Sequence, residues 1–216
     1  MVRPVNERVA GFFPKTLCEF ICEDKKSMCY YLEGLRKVIK ENICIKIIHS
    51  YEGTGALSVW KCAQNELKKL RENQENLGEG SKVVVCFDKD DNKICDIKNI
   101  AKEINNENTE QKDVVLVYTA PCYEYWLLLH IEATKRRFTT SKECSQYCLN
   151  KIKKQYSKQF SSVKKFKQYP HIFDIVGKDL PKAIQNAKSL NFSDDDLDGT
   201  YTNAHLVLEE IIKMAE

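Results

Sequence analysis

The chain has 216 residues, 43% of them hydrophobic and 30% charged, a composition that reads as a soluble globular protein. Its apolar runs, Trp126-Leu127-Leu128-Leu129 among them, are far too short to span a bilayer. No charged, apolar and small-residue succession marks a secretory signal at the N-terminus, so a cytoplasmic location with no membrane partner is expected. Net charge is +3, from 34 basic and 31 acidic residues, and its uneven distribution along the chain matters more than its sum.

In chain order, Thr16–Cys22 reads as a strand that ends in Glu23-Asp24. After Lys25-Lys26-Ser27, apolar residues at helical spacing (Tyr31, Leu32, Leu35, Val38, Ile39) predict a helix over Ser27–Lys40. A second strand is expected at Ile43–Ile48 and a second helix at Ala56–Glu72. Glu75–Gly80 is a surface loop broken by Gly78 and Gly80. The run Lys82–Phe87 is continuously apolar after its first residue, as a strand buried on both faces should be. It stops abruptly at Asp88-Lys89-Asp90-Asp91. A helix over Asn92–Asn105 and a strand over Asp113–Tyr118 follow. This alternation argues for a parallel sheet of about four strands with helices on its faces, and the remainder of the chain reads as mostly helical.

Parallel strands present their carboxyl ends on one side, and ligands of open α/β sheets sit in the crevice there. Glu23, Asp88 and Asp90 can therefore converge as an oxygen-ligand cluster suited to Mg²⁺ or Mn²⁺. The same acids also fit a solvated strand-to-helix loop in which an Asp caps the next helix. Glu124 opens a helix after Pro121, beside the same crevice. His130, six residues on, fits either a hydrogen-bonded packing histidine or a catalytic or phosphate-contacting one.

Ten cysteines are present, but no Cys-x-x-Cys pair or His-x-x-x-His partner accompanies them. Cys22, Cys44, Cys86 and Cys122 lie within or beside apolar runs, where a free thiol behaves as a small buried hydrophobe. Reduced cysteines, not structural zinc, are expected. Between Lys135 and Lys167 stand eleven Lys/Arg residues and one acid, Glu143, a net +10 that leaves the rest of the chain at −7. Interleaved Tyr147, Tyr156, Phe160 and Phe166 suit either base stacking beside phosphate neutralisation or the core of an amphipathic helix pair. Asp194-Asp195-Asp196-Leu197-Asp198-Gly199 lacks the bidentate Glu of a calcium loop and reads as a solvated turn before the last helix.

Several of these stretches together resemble the RloB-like family. Tyr118-Thr119-Ala120-Pro121-Cys122-Tyr123-Glu124-Tyr125-Trp126-Leu127-Leu128-Leu129-His130 is similar to its strongest signature. Phe20-Ile21-Cys22-Glu23 with Lys25-Lys26-Ser27 resembles its first strand and turn, and Tyr30 to Leu35 the following helix. Phe87-Asp88-Lys89-Asp90 resembles its central acidic motif, and Thr202 to Glu209 its C-terminal helix. Asp24 stands where the family usually has Gly, Met28 replaces a second Glu, and Ala120 replaces an Asn. A glutamate at one strand end and an Asp-x-Asp at another is also the arrangement of Toprim-type phosphotransfer sites.

The resemblance implies a Toprim-like α/β core over residues 1–134. A basic helical extension, 135–216, would pack on it as one compact unit. It further implies a metal-dependent nuclease of prokaryotic defence, acting on RNA, tRNA included, or on DNA. Glu23, Asp88 and Asp90 would hold the metal, with Glu124 completing the metal shell or serving as general base. Lys25, Lys26, His130, Lys151, Lys154 and Lys158 are the candidate phosphate contacts. A separate ABC-type ATPase is the implied partner, because the chain carries no Gly-x-x-x-x-Gly-Lys-Ser/Thr loop of its own. A homo-oligomer stays open. The alternative is a catalytically weakened adaptor that binds nucleic acid or the ATPase, the reading that Met28 in place of the second Glu favours.

Overall fold

The computed structural model describes residues 15–23, 26–39, 42–53, 55–90, 92–107, 113–193 and 199–215. β1 (Thr16–Cys22), β2 (Ile43–His49), β3 (Lys82–Asp88) and β4 (Val114–Ala120) form a parallel sheet. α1 (Ser27–Val38), α2 (Ala56–Glu72) and α3 (Ile94–Glu107) connect them. The strand order is β2-β1-β3-β4-β5. The α/β class and the helical C-terminal part are as expected. The strand count differs, because β5 (Tyr201–Thr202) adds a fifth, antiparallel strand beside β4.

Side chains alternate across each strand, and the two faces bury separate cores. Val83, Val85 and Phe87 of β3, with Ile21 of β1, pack under α2 and α3 against Val59, Trp60, Leu67, Ile97 and Ile100. Val84 and Cys86, with Phe20 and Cys22, face α1 and the C-terminal helices. β3 is thus covered on both sides, which explains its unbroken apolar run. β2 is an edge strand, so Cys44 faces outward and is exposed. That corrects its assignment as a buried hydrophobe. All ten cysteines are free thiols.

The C-terminal part comprises α4 (Glu124–Leu129), α5 (Ser141–Tyr156), α6 (Val163–Lys167), α7 (Ile172–Val176), α8 (Leu180–Leu190) and α9 (Ala204–Ala215). Its residues Cys148, Ile152, Phe166, Phe173 and Val207 lie in the same cluster as Phe20, Tyr31 and Val84, so residues on both sides of position 134 share one core. α5 starts where the Thr140 hydroxyl accepts the Glu143 amide, and α6 where Ser162 accepts the Lys165 amide. The acidic stretch Asp194–Asp198 lies outside the described residues. Among those described, no helix is long and apolar enough to cross a membrane.

This strand order places the site. The chain runs from β1 outward to β2, then crosses back over β1 to reach β3 on its other side. β1 and β3 therefore flank the point where the winding reverses, and a crevice opens beyond their carboxyl ends. Glu23 follows β1 and Asp88 ends β3.

Candidate functional site

Glu23, Asp88, Asp90 and Glu124 line one cavity of about 170 Å³ at that carboxyl edge. Glu23 and Asp88 thus share an edge, as the sequence predicts. Each acid is held by a different piece of local structure.

Asp88 accepts the Tyr123 amide on Oδ2 at 3.0 Å. Its other oxygen, Oδ1, is shielded from solvent and has no hydrogen-bond partner. A shielded carboxylate oxygen without a partner is costly. Burial, and then the Glu124 carboxylate, push the Asp88 carboxyl well above the usual aspartate range, against the pull of the Tyr123 amide. A cation would relieve both the desolvation and the repulsion.

Glu23 accepts the Gly55 amide on Oε1 at 3.0 Å, while Oε2 lies 3.4 Å from Asn92 Nδ2. Gly55 precedes α2 with φ +92°, a conformation that glycine adopts without strain. Burial lifts the Glu23 carboxyl, outweighing the hydrogen bonds from Gly55 and Asn92. Asn92 fastens the corner: its Nδ2 donates to the Asp88 carbonyl at 2.7 Å and its Oδ1 accepts the Ala56 amide at 2.8 Å. Asp90 has φ +26°. Its amide donates to the Pro121 carbonyl at 3.0 Å, and its Oδ1 accepts the Ser141 hydroxyl.

Glu124 is buried, with the Ser27 and Ser145 hydroxyls 2.6 and 3.0 Å from its two carboxylate oxygens. Lys167, from the end of α6, brings its ammonium within 3.0 Å of Oε2. Burial works to raise the Glu124 carboxyl, but the Lys167 ammonium and the Ser27 hydroxyl outweigh it and hold it below its usual range. Burial works the other way on Lys167, and there Glu124 wins and holds the ammonium more firmly. Glu124, expected either to complete a metal shell or to serve as general base, is half of an ion pair with Lys167.

The donor set at the rim is carboxylate oxygen, which fits a hard divalent cation. Among the described residues, no three His, Cys, Asp or Glu side chains are already gathered into a cation cage. The acids share one pocket, with Asp88 Oδ1 as its unsatisfied point, and Cys22, Met28 and Cys86 form an uncharged, softer wall.

His130 is outside this pocket and corrects its assignment as a phosphate contact. It is fully buried, with Nε2 3.0 Å from the Tyr31 hydroxyl and Nδ1 3.1 Å from the Trp126 carbonyl. Since a carbonyl can only accept, Nδ1 carries the proton and Nε2 accepts from Tyr31. Burial pulls its pKa down to about 4, against the Trp126 carbonyl, so the ring is neutral near pH 7. The basic segment is also partly spent on packing. Lys151 pairs with Glu132 and lies 5.2 Å from the Tyr147 ring centroid, whereas Lys154 and Lys158 are exposed. Phe160 and Phe166 are buried, and the Tyr156 hydroxyl donates to Asp179 at 2.7 Å. The core reading of these aromatics holds over stacking. Lys26 is exposed ahead of α1, and Lys25 lies outside the described residues.

Sequence reasoning missed Lys167, Asn92, Ser27 and Ser145 as site residues. Asn92 carried a weak signal, standing just after the acidic run. Lys167 carried none, being one of eleven basic residues in its segment.

The fold and pocket define a doubly wound α/β protein with a carboxylate-lined crevice at its topological switch point. The RloB-like protein family profile matches residues 20–211, and the chain belongs to that family. No curated protein and no solved structure matches it.

Proposed function

We propose that this RloB-like protein is a divalent-metal-dependent nuclease that hydrolyses phosphodiester bonds in RNA or DNA. The observation that carries this reading is the buried, unpartnered Asp88 Oδ1 in a pocket shared with Glu23 and Asp90. Those three residues would hold Mg²⁺ or Mn²⁺. Such an ion supplies an activated water and charge stabilisation for the leaving oxygen. The protein's own contribution is positional. Asn92 and Gly55 fix Glu23, the Tyr123 amide orients Asp88, and Ser27 with Ser145 fixes Glu124. Exposed Lys154, Lys158, Lys164 and Lys165 supply charge for steering a polyanion towards the crevice. The reading extends to a cytoplasmic effector of antiphage defence governed by a separate ABC-type ATPase.

A second reading, an adaptor that binds nucleic acid or the ATPase without cleaving, is favoured by two observations. Met28 gives the pocket wall a thioether where the family usually places a carboxylate, and Glu124 is occupied by Lys167. Incubation of the purified protein with tRNA, single-stranded RNA and duplex DNA, in Mg²⁺, Mn²⁺ or EDTA, separates the two. Cleavage that EDTA abolishes is the expected result. Tight binding without cleavage in either metal selects the adaptor.

A further inference from the structure

The acidic pocket already contains a cation of the protein's own. Lys167 lines the cavity together with Glu23, Asp88, Asp90 and Glu124, and among the described residues it is the one basic side chain of that lining. Its ammonium is bound at one point, 3.0 Å from Glu124 Oε2. Asp88 Oδ1 is left without a partner. One ammonium thus faces four carboxyl groups and satisfies one of them directly.

Lys167 is also placed to leave. It is the last residue of a five-residue helix, its side chain is 30% exposed, and Lys164 and Lys165 of the same helix face solvent. A lysine is a flexible stem bearing a point charge, so it can withdraw to water without repacking the core. A divalent ion beside Asp88 and a retained ammonium in so small a cavity would repel each other across a poorly screened gap.

We propose that Lys167 is a resident counter-cation, holding the pocket in its metal-free state and displaced when a divalent ion enters. This rests on the cation reading of the pocket given above and adds a regulation to it. Entry of the ion frees the Lys167 ammonium beside Lys164 and Lys165, so pocket occupancy and polyanion binding on α6 strengthen one another. That coupling is reciprocal by thermodynamic necessity.

The test is Mn²⁺ titration of the full chain, followed by electron paramagnetic resonance of the free ion, for wild type, Lys167→Gln, Lys167→Arg and Asp88→Asn. Removing the competing charge should tighten Mn²⁺ binding by about tenfold or more in Lys167→Gln, a change of about 1.4 kcal/mol. Lys167→Arg, which keeps the charge, should stay close to wild type. If wild type binds Mn²⁺ through Asp88 but Lys167→Gln binds no tighter, Lys167 is only a structural partner of Glu124 and the proposal fails alone. If neither wild type nor Lys167→Gln binds Mn²⁺, the cation reading fails with it. Amine labelling of unmodified protein, read at Lys167 by mass spectrometry, keeps the test decisive should Lys167→Gln not fold. Labelling should rise several-fold with Mn²⁺, and unchanged or reduced labelling overturns the proposal.

Discussion

Glu124 and His130 lie six residues apart at the two ends of α4, both buried and both polar, yet their surroundings differ in kind. Around His130 every polar demand of the ring is met: one nitrogen donates to a carbonyl and the other accepts from a hydroxyl, and burial keeps the ring neutral. Around Glu124 charge is concentrated, with a buried ion pair, three further acids and a carboxylate oxygen left without a partner. A neutral ring whose own hydrogen bonds are all met serves to specify a core. An unsatisfied charged one costs stability, and that cost is what a bound cation would remove. The comparison separates a packing histidine from a site, although the two residues share one sequence motif.

The largest effect on stability should come from the satisfied side. His130→Ala opens a cavity beside Tyr31 and Trp126 and orphans the Tyr31 hydroxyl, so urea unfolding should show a loss of about 3 kcal/mol. The ring's folded pKa is about 4 against an ordinary 6.5, so its contribution is present above pH 6.5 and lost as pH falls towards 4. The variant should lack that acid sensitivity while its folded fraction keeps cation binding.

Glu124→Gln comes next. Breaking a fully buried pair costs about 3–5 kcal/mol. With the Lys167 side chain 30% exposed, a loss of about 2 kcal/mol is expected after discounting for solvent screening, again by urea unfolding.

Asp88→Asn should move stability the other way. Asp88 holds its proton more tightly folded than unfolded, so the metal-free fold loses stability as pH rises from the ordinary value of 3.8 to the raised native one, and stays lower above it. The variant escapes that loss. Its urea midpoint in EDTA at pH 7 should exceed that of wild type, and the gap should close below the aspartate range.

The smallest effects belong to the basic surface. Lys154→Gln with Lys158→Gln should change folding by less than about 0.5 kcal/mol. On duplex DNA the logarithmic salt slope of binding should fall by about 0.9 per lost phosphate contact. Lys151→Gln should alter the slope less, because Glu132 already holds that ammonium. An unchanged slope in the double variant assigns this surface to a protein partner or to solubility.

What the sequence made legible follows from range. The four parallel strands could be read because each is a local apolar run, and β3 stops at the first acid of its motif. Ala56–Glu72 could be read to its ends, while α1 stops at Val38, two residues short of the expected Lys40, where Ile39 turns extended. β5 could not be read, since two residues carry no period. It is defined by partners more than eighty positions away: the Thr119 and Thr202 hydroxyls lie 3.1 Å apart, and the Asn203 side chain bonds the Tyr118 amide and Leu116 carbonyl. The acids of the pocket were legible because strand ends announce them. Lys167 was not, because its role depends on where α6 docks, and its neighbours in sequence look the same. His130 could be read as packing or functional for a related reason: nothing local reveals that Tyr31, 99 positions away, satisfies its ring.

If Asp88 and its neighbours form a divalent-cation site, Mn²⁺ binding at neutral pH must differ between wild type and Asp88→Asn. Saturable binding to wild type that is lost in the folded variant is the expected result. Equal binding by the two proteins, or none by wild type, would contradict it.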